Sequence, residues 1–253
     1  MGVDAEHGPV VMGRLTVSAV PVLNDNYVWL IRDPDSGETA AVDPSVAQPV
    51  LDAAEAERLR ITQVLNTHWH PDHTGGNDGI RDATDCTITA PAEAERVSRI
   101  DRIVSESDRV TVAGAEAVVW DIPAHTSGHI AYYFEDEGMI FVGDTMFAMG
   151  CGRLFEGTAE QMYANMQRIA ALPEGVRIYC GHEYTLANAR FAAHAEPGNQ
   201  DIARRLEEAA TLRERGLITL PTTVAEERAT NPFVRARDVQ EFARLRSEKD
   251  SFR

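Results

Sequence analysis

Cysteine is scarce in this chain: Cys86, Cys151 and Cys180 are the only three in 253 residues, and they are widely spaced. That pattern excludes a disulfide framework and a thiolate zinc knuckle, and it fits a reducing compartment. Basic charge is also short. Lys and Arg number 24 against 40 Asp and Glu, a net charge of -16, and such a surface repels a nucleic-acid backbone or an anionic membrane. No stretch approaches the roughly 18 consecutive apolar residues of a membrane span, and residues 1–13 show no positive region followed by an apolar core. There is no Gly-x-Ser-x-Gly elbow and no phosphate-binding loop. The expectation is a soluble, cytoplasmic, monomeric protein that acts on a small molecule, with neither nucleic acid nor membrane as partner.

What is present suffices for a sizeable core, since 43% of the residues are hydrophobic. β-branched and aromatic residues over 15–22 and 27–31 flank the turn Asn24-Asp25-Asn26, which predicts an opening hairpin. Further strands are expected at 39–42, 63–66, 86–89, 117–122, 130–134, 139–142 and 176–180. The period of Val46, Val50, Leu51, Ala54 and Leu59 predicts a helix over 46–60, and another is expected near 92–100. Thr158-Ala-Glu-Gln161 reads as a capping box opening a helix that Pro173 closes. After residue 182 the pattern turns helical, at 186–195, 202–215, 224–228 and 239–246.

The segment Thr67-His-Trp-His-Pro-Asp-His73 places four ligand side chains in six residues, directly after a strand. Chance would give such a run on the order of once in two thousand chains of this composition. His68 and His70 project to one side of an extended backbone, and Pro71 turns the chain so that Asp72 and His73 face a second position. His125, Asp144 and His182 each follow the end of a predicted strand, so four strand ends converge on one edge. Five imidazoles and two carboxylates suit zinc best and also accept iron or manganese, and Asp144 has two oxygens with which to bridge. Two divalent ions held this way would lower the pKa of bound water and stabilise an oxyanion, with a bridging hydroxide as nucleophile and Asp72 and Asp144 as the catalytic carboxylates. His129 opens the next strand and is expected to hydrogen-bond a ligand rather than take a metal. His7 and His194 are given no role.

With these residues in view, Thr67-His-x-His-x-Asp-His73 together with His125, Asp144 and His182 resembles the metallo-β-lactamase superfamily. That resemblance implies an α+β fold, the four-layer αββα sandwich. Asn24-Asp-Asn-Tyr27, His125-Thr-Ser-Gly-His129, Gly143-Asp-Thr145, Cys151-Gly-Arg-Leu-Phe-Glu-Gly157, Cys180-Gly-His-Glu-Tyr-Thr185, Glu196-Pro-Gly-Asn199, Asn231-Pro-Phe233 and Arg246-Ser-Glu-Lys-Asp250 narrow it. They resemble the hydroxyacylglutathione hydrolase family, glyoxalase II, from about Leu15 to the C-terminus. The resemblance implies one metal on His68, His70 and His125 and another on Asp72, His73 and His182, with Asp144 bridging. It also implies a glutathione clamp of Arg153, Tyr184, Asn188, Arg246 and Lys249, which with the residue pattern gives a flexible leader over 1–14, a catalytic domain over 15–182, and a C-terminal α-helical, glutathione-binding domain over 183–253. A local basic clamp suits a tripeptide with two carboxylates. Phe155 stands where some members have Tyr, and Ser247 where some have a second Arg, which bears on affinity rather than on the reaction.

The expected activity is hydrolysis of the thioester S-(R)-lactoylglutathione to D-lactate and glutathione, the second step of methylglyoxal detoxification. Three alternatives remain at this stage: a glutathione persulfide dioxygenase with one iron, a non-catalytic glutathione or metal sensor, and a β-lactamase. The helical appendage disfavours the last by crowding an open groove.

Overall fold

Tyr27-Val28-Trp29-Leu30-Ile31 is apolar at every position, the mark of a strand covered on both faces. The computed structural model, which describes residues 13–252, shows how that comes about. Val28 and Leu30 join Ala41, Val64 and Ile88 in one cluster. Trp29 and Ile31 join Ala40, Val42 and Leu65 in another, on the opposite face. The sheet responsible is built from β1 (Thr16–Val22), β2 (Asn26–Arg32), β3 (Glu38–Val42), β4 (Arg60–Leu65), β5 (Thr87–Ala90) and β6 (Arg102–Ile103), hydrogen-bonded in that order. The β1–β2–β3 pairings are antiparallel and the rest parallel.

Two helices cover its outer face: α1 (Ala47–Glu57) and, beyond the one-turn α2 (Pro71–Thr74), α3 (Asn77–Thr84). Val50 and Ala54 from α1 and Ile80 from α3 fill the outer cluster. A second sheet packs on the inner face. It comprises β7 (Arg109–Val112), β8 (Ala115–Asp121), β9 (Ile130–Phe134), β10 (Met139–Gly143), β13 (Arg177–Cys180) and β14 (Thr222–Thr223), with β10 and β13 parallel. A small hairpin, β11 (Met146–Phe147) with β12 (Gly150–Cys151), leaves the end of β10. Then α4 (Ala159–Ala170) presses Met162, Met166 and Ile169 into the core from the far side. The layers are therefore helix, sheet, sheet, helix, as the resemblance implies. Thr158 caps α4 in the predicted box: its hydroxyl accepts from the Gln161 amide while the Gln161 side chain accepts from the Thr158 amide.

Beyond β13 lie α5 (Thr185–Ala195), α6 (Gln200–Glu214), α7 (Val224–Thr230), α8 (Pro232–Arg235) and α9 (Val239–Ser251). Two expectations need correction, and for one stretch the pattern predicts no element. The helix expected near 92–100 is a 3-10 turn over Ala92–Arg96, which leaves the next residues free to form β6. The stretch after the metal-binding loop is helical, as α2 and α3, although two glycines at 75 and 76 mask the period. The strand at 176–180 is not the last: β14 pairs with β13, so the C-terminal segment supplies an edge to the second sheet. Two residues are too short to show alternation. Most of the leader expected over 1–14, and His7 with it, lies outside the described residues. No helix among the described residues is long and apolar enough to cross a membrane.

Candidate metal centre and adjoining cavity

Parallel strands deliver their C-terminal ends to one edge, and every predicted ligand sits there. The β4 end leads into Thr67–His70 and α2, the loop after β8 carries His125, β10 runs into Asp144, and β13 into His182. Gly143, at φ +48, makes the turn after β10, where a Cβ would strike the Thr67 hydroxyl and the His129 ring.

Two triads result. His70 Nδ1 lies 3.1 Å from both His68 Nε2 and His125 Nε2. His73 Nε2 lies 3.3 Å from His182 Nε2, with Asp72 Oδ2 at 3.6 and 3.5 Å from the pair. Asp144 stands between them, Oδ2 at 3.4 Å from His125 Nε2 and 3.3 Å from His182 Nε2, and Oδ1 at 3.4 Å from His73 Nε2. Asp144 Oδ1 is buried without a hydrogen-bond partner.

The outer nitrogens show which atoms face inward. His68 Nδ1 meets the Thr67 hydroxyl at 3.0 Å, and that hydroxyl already donates to Asp43. His125 Nδ1 donates to the Arg153 carbonyl at 2.9 Å, His73 Nδ1 to Asp43 Oδ2 at 3.1 Å, and His182 Nδ1 to Asp25 Oδ1 at 2.8 Å. With Nδ1 carrying the proton, each Nε2 presents a lone pair to the other lone pairs and carboxylates in the centre. Acceptors facing acceptors at this range repel one another unless a cation, a metal ion or in its place a proton, lies between them. The donor set thus fits metal binding, with three groups of close ligand atoms: His68, His70 and His125; Asp72, His73 and His182; and Asp43, His68 and His73. Nitrogen and oxygen donors without thiolate suit zinc, iron or manganese.

Proton affinities report the same field. Burial, with the neighbouring imidazoles adding to it, holds His68 and His129 well below the ordinary histidine range. Burial opposes protonation of His73 too, but Asp144 and Asp43 override it and hold its pKa well above normal; against the same burial, Asp144 and Asp25 raise that of His182. Burial acts to raise Asp144, yet His73 and His182 keep it well below the carboxylate range. His129 takes the Asp144 amide on Nε2 at 3.2 Å and stacks on His68, so it orients a ligand loop and lies outside both triads. His194 pairs with Glu248 on the surface.

A cavity of about 570 Å³ opens from this centre and runs to the C-terminal helices. His70, Asp72, His125, Asp144 and His182 line it, together with Arg153, Tyr184, Asn188, Arg246, Lys249 and Asp250. Tyr184 stacks on His182 at 4.7 Å, and burial together with Asp25, Asp144 and Asp72 pushes its pKa far up, so it keeps its proton. Phe155 is 60% exposed and leans on His70 and His125 at the mouth. Lys249, the only lysine in the chain, lies over the rings of Phe191 and Phe252, and burial lowers its pKa from 10.5 to about 8. Arg153 is exposed.

The other two clamp residues have structural partners. Asn188 is buried and donates to Ala148 O, while Arg246 is 7% exposed and donates to Cys151 O at 2.7 Å and to Asp250 at 3.0 Å. Its Nε has no partner. Ser247 is exposed on α9. Asp25, Asp43 and Asp250 were missed in the sequence. Asp25 lies in the quoted Asn24-Asp-Asn-Tyr27 run, and Asp43, at φ +52 before Pro44, directly follows the strand expected over 39–42.

Comparison with known proteins adds identity to this geometry. The family model described as the metallo-beta-lactamase superfamily matches residues 23–182, and that described as the hydroxyacylglutathione hydrolase C-terminus matches 183–252. A hydroxyacylglutathione hydrolase of Methylococcus capsulatus is 47% identical over 254 residues, covering 94% of this chain and 99% of the relative. Another, of Erythrobacter litoralis, is 47% identical over 250 residues, covering 94% and 100%. Among solved structures, ETHE1 from Myxococcus xanthus matches with a TM-score of 0.72 at 24% identity, covering 94% of this chain and 92% of that one. At that identity the likeness speaks for the fold alone.

Proposed function

Because this chain belongs to the hydroxyacylglutathione hydrolases of the metallo-β-lactamase superfamily, we propose that it hydrolyses S-2-hydroxyacylglutathione thioesters. S-(R)-lactoylglutathione is the expected substrate, and D-lactate and glutathione the products that complete methylglyoxal detoxification. The observation that carries this reading is one cavity lined both by metal ligands and by Arg153, Arg246 and the only lysine. Residues 15–182 would supply the chemistry and 183–253 the hold on glutathione. A monomeric, cytoplasmic enzyme with three free, buried cysteines belongs to the same proposal.

His68, His70 and His125 would hold one divalent ion, and Asp72, His73 and His182 a second, with Asp144 shared and zinc the best match to the donors. Such ions, when bound, supply a water deprotonated near neutral pH and Lewis-acid stabilisation of a developing oxyanion. The chain's own groups do the rest. Arg153, Arg246 and Lys249 take the glutathione carboxylates, where guanidinium forks and an ammonium suit the planar anion. Tyr184, stacked on His182 in the cavity wall, remains a hydroxyl donor. Phe155 shields the faces of His70 and His125 from bulk water and offers the acyl group an apolar neighbour. Asp72 has a side chain 41% exposed on the cavity wall. Its carboxylate can take the proton that such a water gives up, and the oxygen then adds to the thioester carbon. The C–S bond then breaks, and the proton ends on the glutathione sulfur.

Turnover of lactoylglutathione, glutathione persulfide and nitrocefin, with metal analysis on the same sample, tests the proposal. Thioester cleavage by a protein holding two ions per chain, abolished in Asp72→Asn, is the expected result. One iron with oxygen uptake on the persulfide, or binding without turnover, would replace it with a dioxygenase or a sensor.

A further inference from the structure

The β11–β12 hairpin packs into the main core through Met146 and Phe147, and main-chain groups along it are taken up by the C-terminal segment. Side chains from that segment meet its main-chain groups one after another. Asn231 Nδ2 donates to Phe147 O at 3.3 Å and Gly150 O at 3.0 Å. Asn188 donates to Ala148 O and Arg246 to Cys151 O. The Met149 amide donates to Glu227 Oε2 at 2.9 Å. Glu227 is fully buried, and Arg205, Thr222 and Asn231 complete its shell at 2.8, 2.6 and 2.8 Å. At the tip, Met149 adopts φ +59, costly for a residue other than glycine, and its side chain is buried among Ala189, Ala192 and Ile202 of α5 and α6. A Cβ on Gly150 would come within 2.4 Å of Asn188 Nδ2, so the fit is close.

Both stems of this hairpin end at the metal centre. Asp144 lies two residues before β11. Arg153 lies two residues after β12, and its carbonyl fixes the His125 ring. We propose that the helical segment sets the metal centre through this hairpin, with Asn231 and Glu227 as positioning residues for Asp144 and His125. The segment would then act on the metals as well as on glutathione. Outer partners of metal ligands are worth about 10–100-fold in affinity, and here the partner is a whole hairpin pinned from another part of the chain.

The inference rests on the metal-dependent reading above. Its test uses the full chain and metal affinity, by competition of zinc with a chromophoric chelator, so it stands or falls whether or not lactoylglutathione is the substrate. Asn231→Ser keeps the oxygen that caps α8 and loses both donors to the hairpin. Met149→Ala loosens the tip and leaves the polar pins alone, serving if the first variant folds poorly. Val50→Ala, in α1 far from the hairpin, is the control for lost stability. Zinc affinity should fall about tenfold or more in the hairpin variants, with kcat down and KM within about twofold, and stay at the wild-type value in the control. Wild-type zinc affinity in both hairpin variants would overturn the inference, as would an equal loss in Val50→Ala at matched melting temperature.

Discussion

Lys249 offers the most direct test of how the cavity recognises its ligand. Burial first, and the charge of Arg246 next, lower its pKa from 10.5 to about 8. The sign follows: the folded chain holds a cation there below pH 8 and a neutral amine above it, so anion binding should be present at pH 7 and fade as pH rises. If only the ammonium form grips a carboxylate, the binding-competent fraction drops about tenfold between pH 7 and pH 9, equivalent to about 1.4 kcal/mol. A charge-assisted hydrogen bond is worth roughly 1.5–3 kcal/mol, so the contact is strong enough to show the whole change. KM for lactoylglutathione should therefore rise about tenfold over that range through Lys249 alone, with kcat following a separate profile. Lys249→Arg, charged throughout, should flatten the KM profile, and Lys249→Ala should start high and stay flat. Because no other lysine exists, amine-reactive labelling followed by mass spectrometry reads the same titration independently, and bound glutathione should protect the site. A wild-type KM constant from pH 7 to pH 9, or a rise that survives Lys249→Arg, would refute the reasoning.

Other perturbations separate the parts of the site. Asp25→Asn removes the carboxylate that holds His182 Nδ1 and should weaken metal binding about 10–100-fold, read by chelator competition; unchanged affinity would return Asp25 to the status of a loop residue. Arg246→Ala should raise KM and also lower kcat, since it frees Cys151 O at the hairpin base, whereas Lys249→Ala should move KM alone. Thr158→Ala deletes the α4 cap and should cost about 1 kcal/mol in chemical denaturation with the kinetic constants unchanged.

Much of the site was legible because its chemistry is local. His68, His70, Asp72 and His73 lie on one loop, and their spacing alone presents ligands to two positions. The strand ends before His125, Asp144 and His182 could be placed from hydrophobic pattern, so their convergence followed from how layered sheets are built. The capping box at Thr158 is likewise a short-range device that needs no knowledge of the rest of the chain. The sequence by itself therefore determined the class of fold and the ligand side chains that meet at one edge.

Tertiary structure alone decided the rest, because those features depend on residues distant in the chain. Asp25 meets His182 across 157 positions, and Asp43 meets His73 across 30, through side chains that carry no local signature. The C-terminal helices looked like an appendage, yet β14 edges the second sheet and Glu227, Asn231 and Arg246 hold the hairpin that leads from Asp144. Arg246 shows the difference most plainly: as sequence it was one more cation for substrate, and in the fold its buried guanidinium is divided between a main-chain carbonyl, Asp250 and the cavity. A hydrogen bond depends on where two groups lie in space, which short-range pattern cannot supply when the partners are a hundred residues apart.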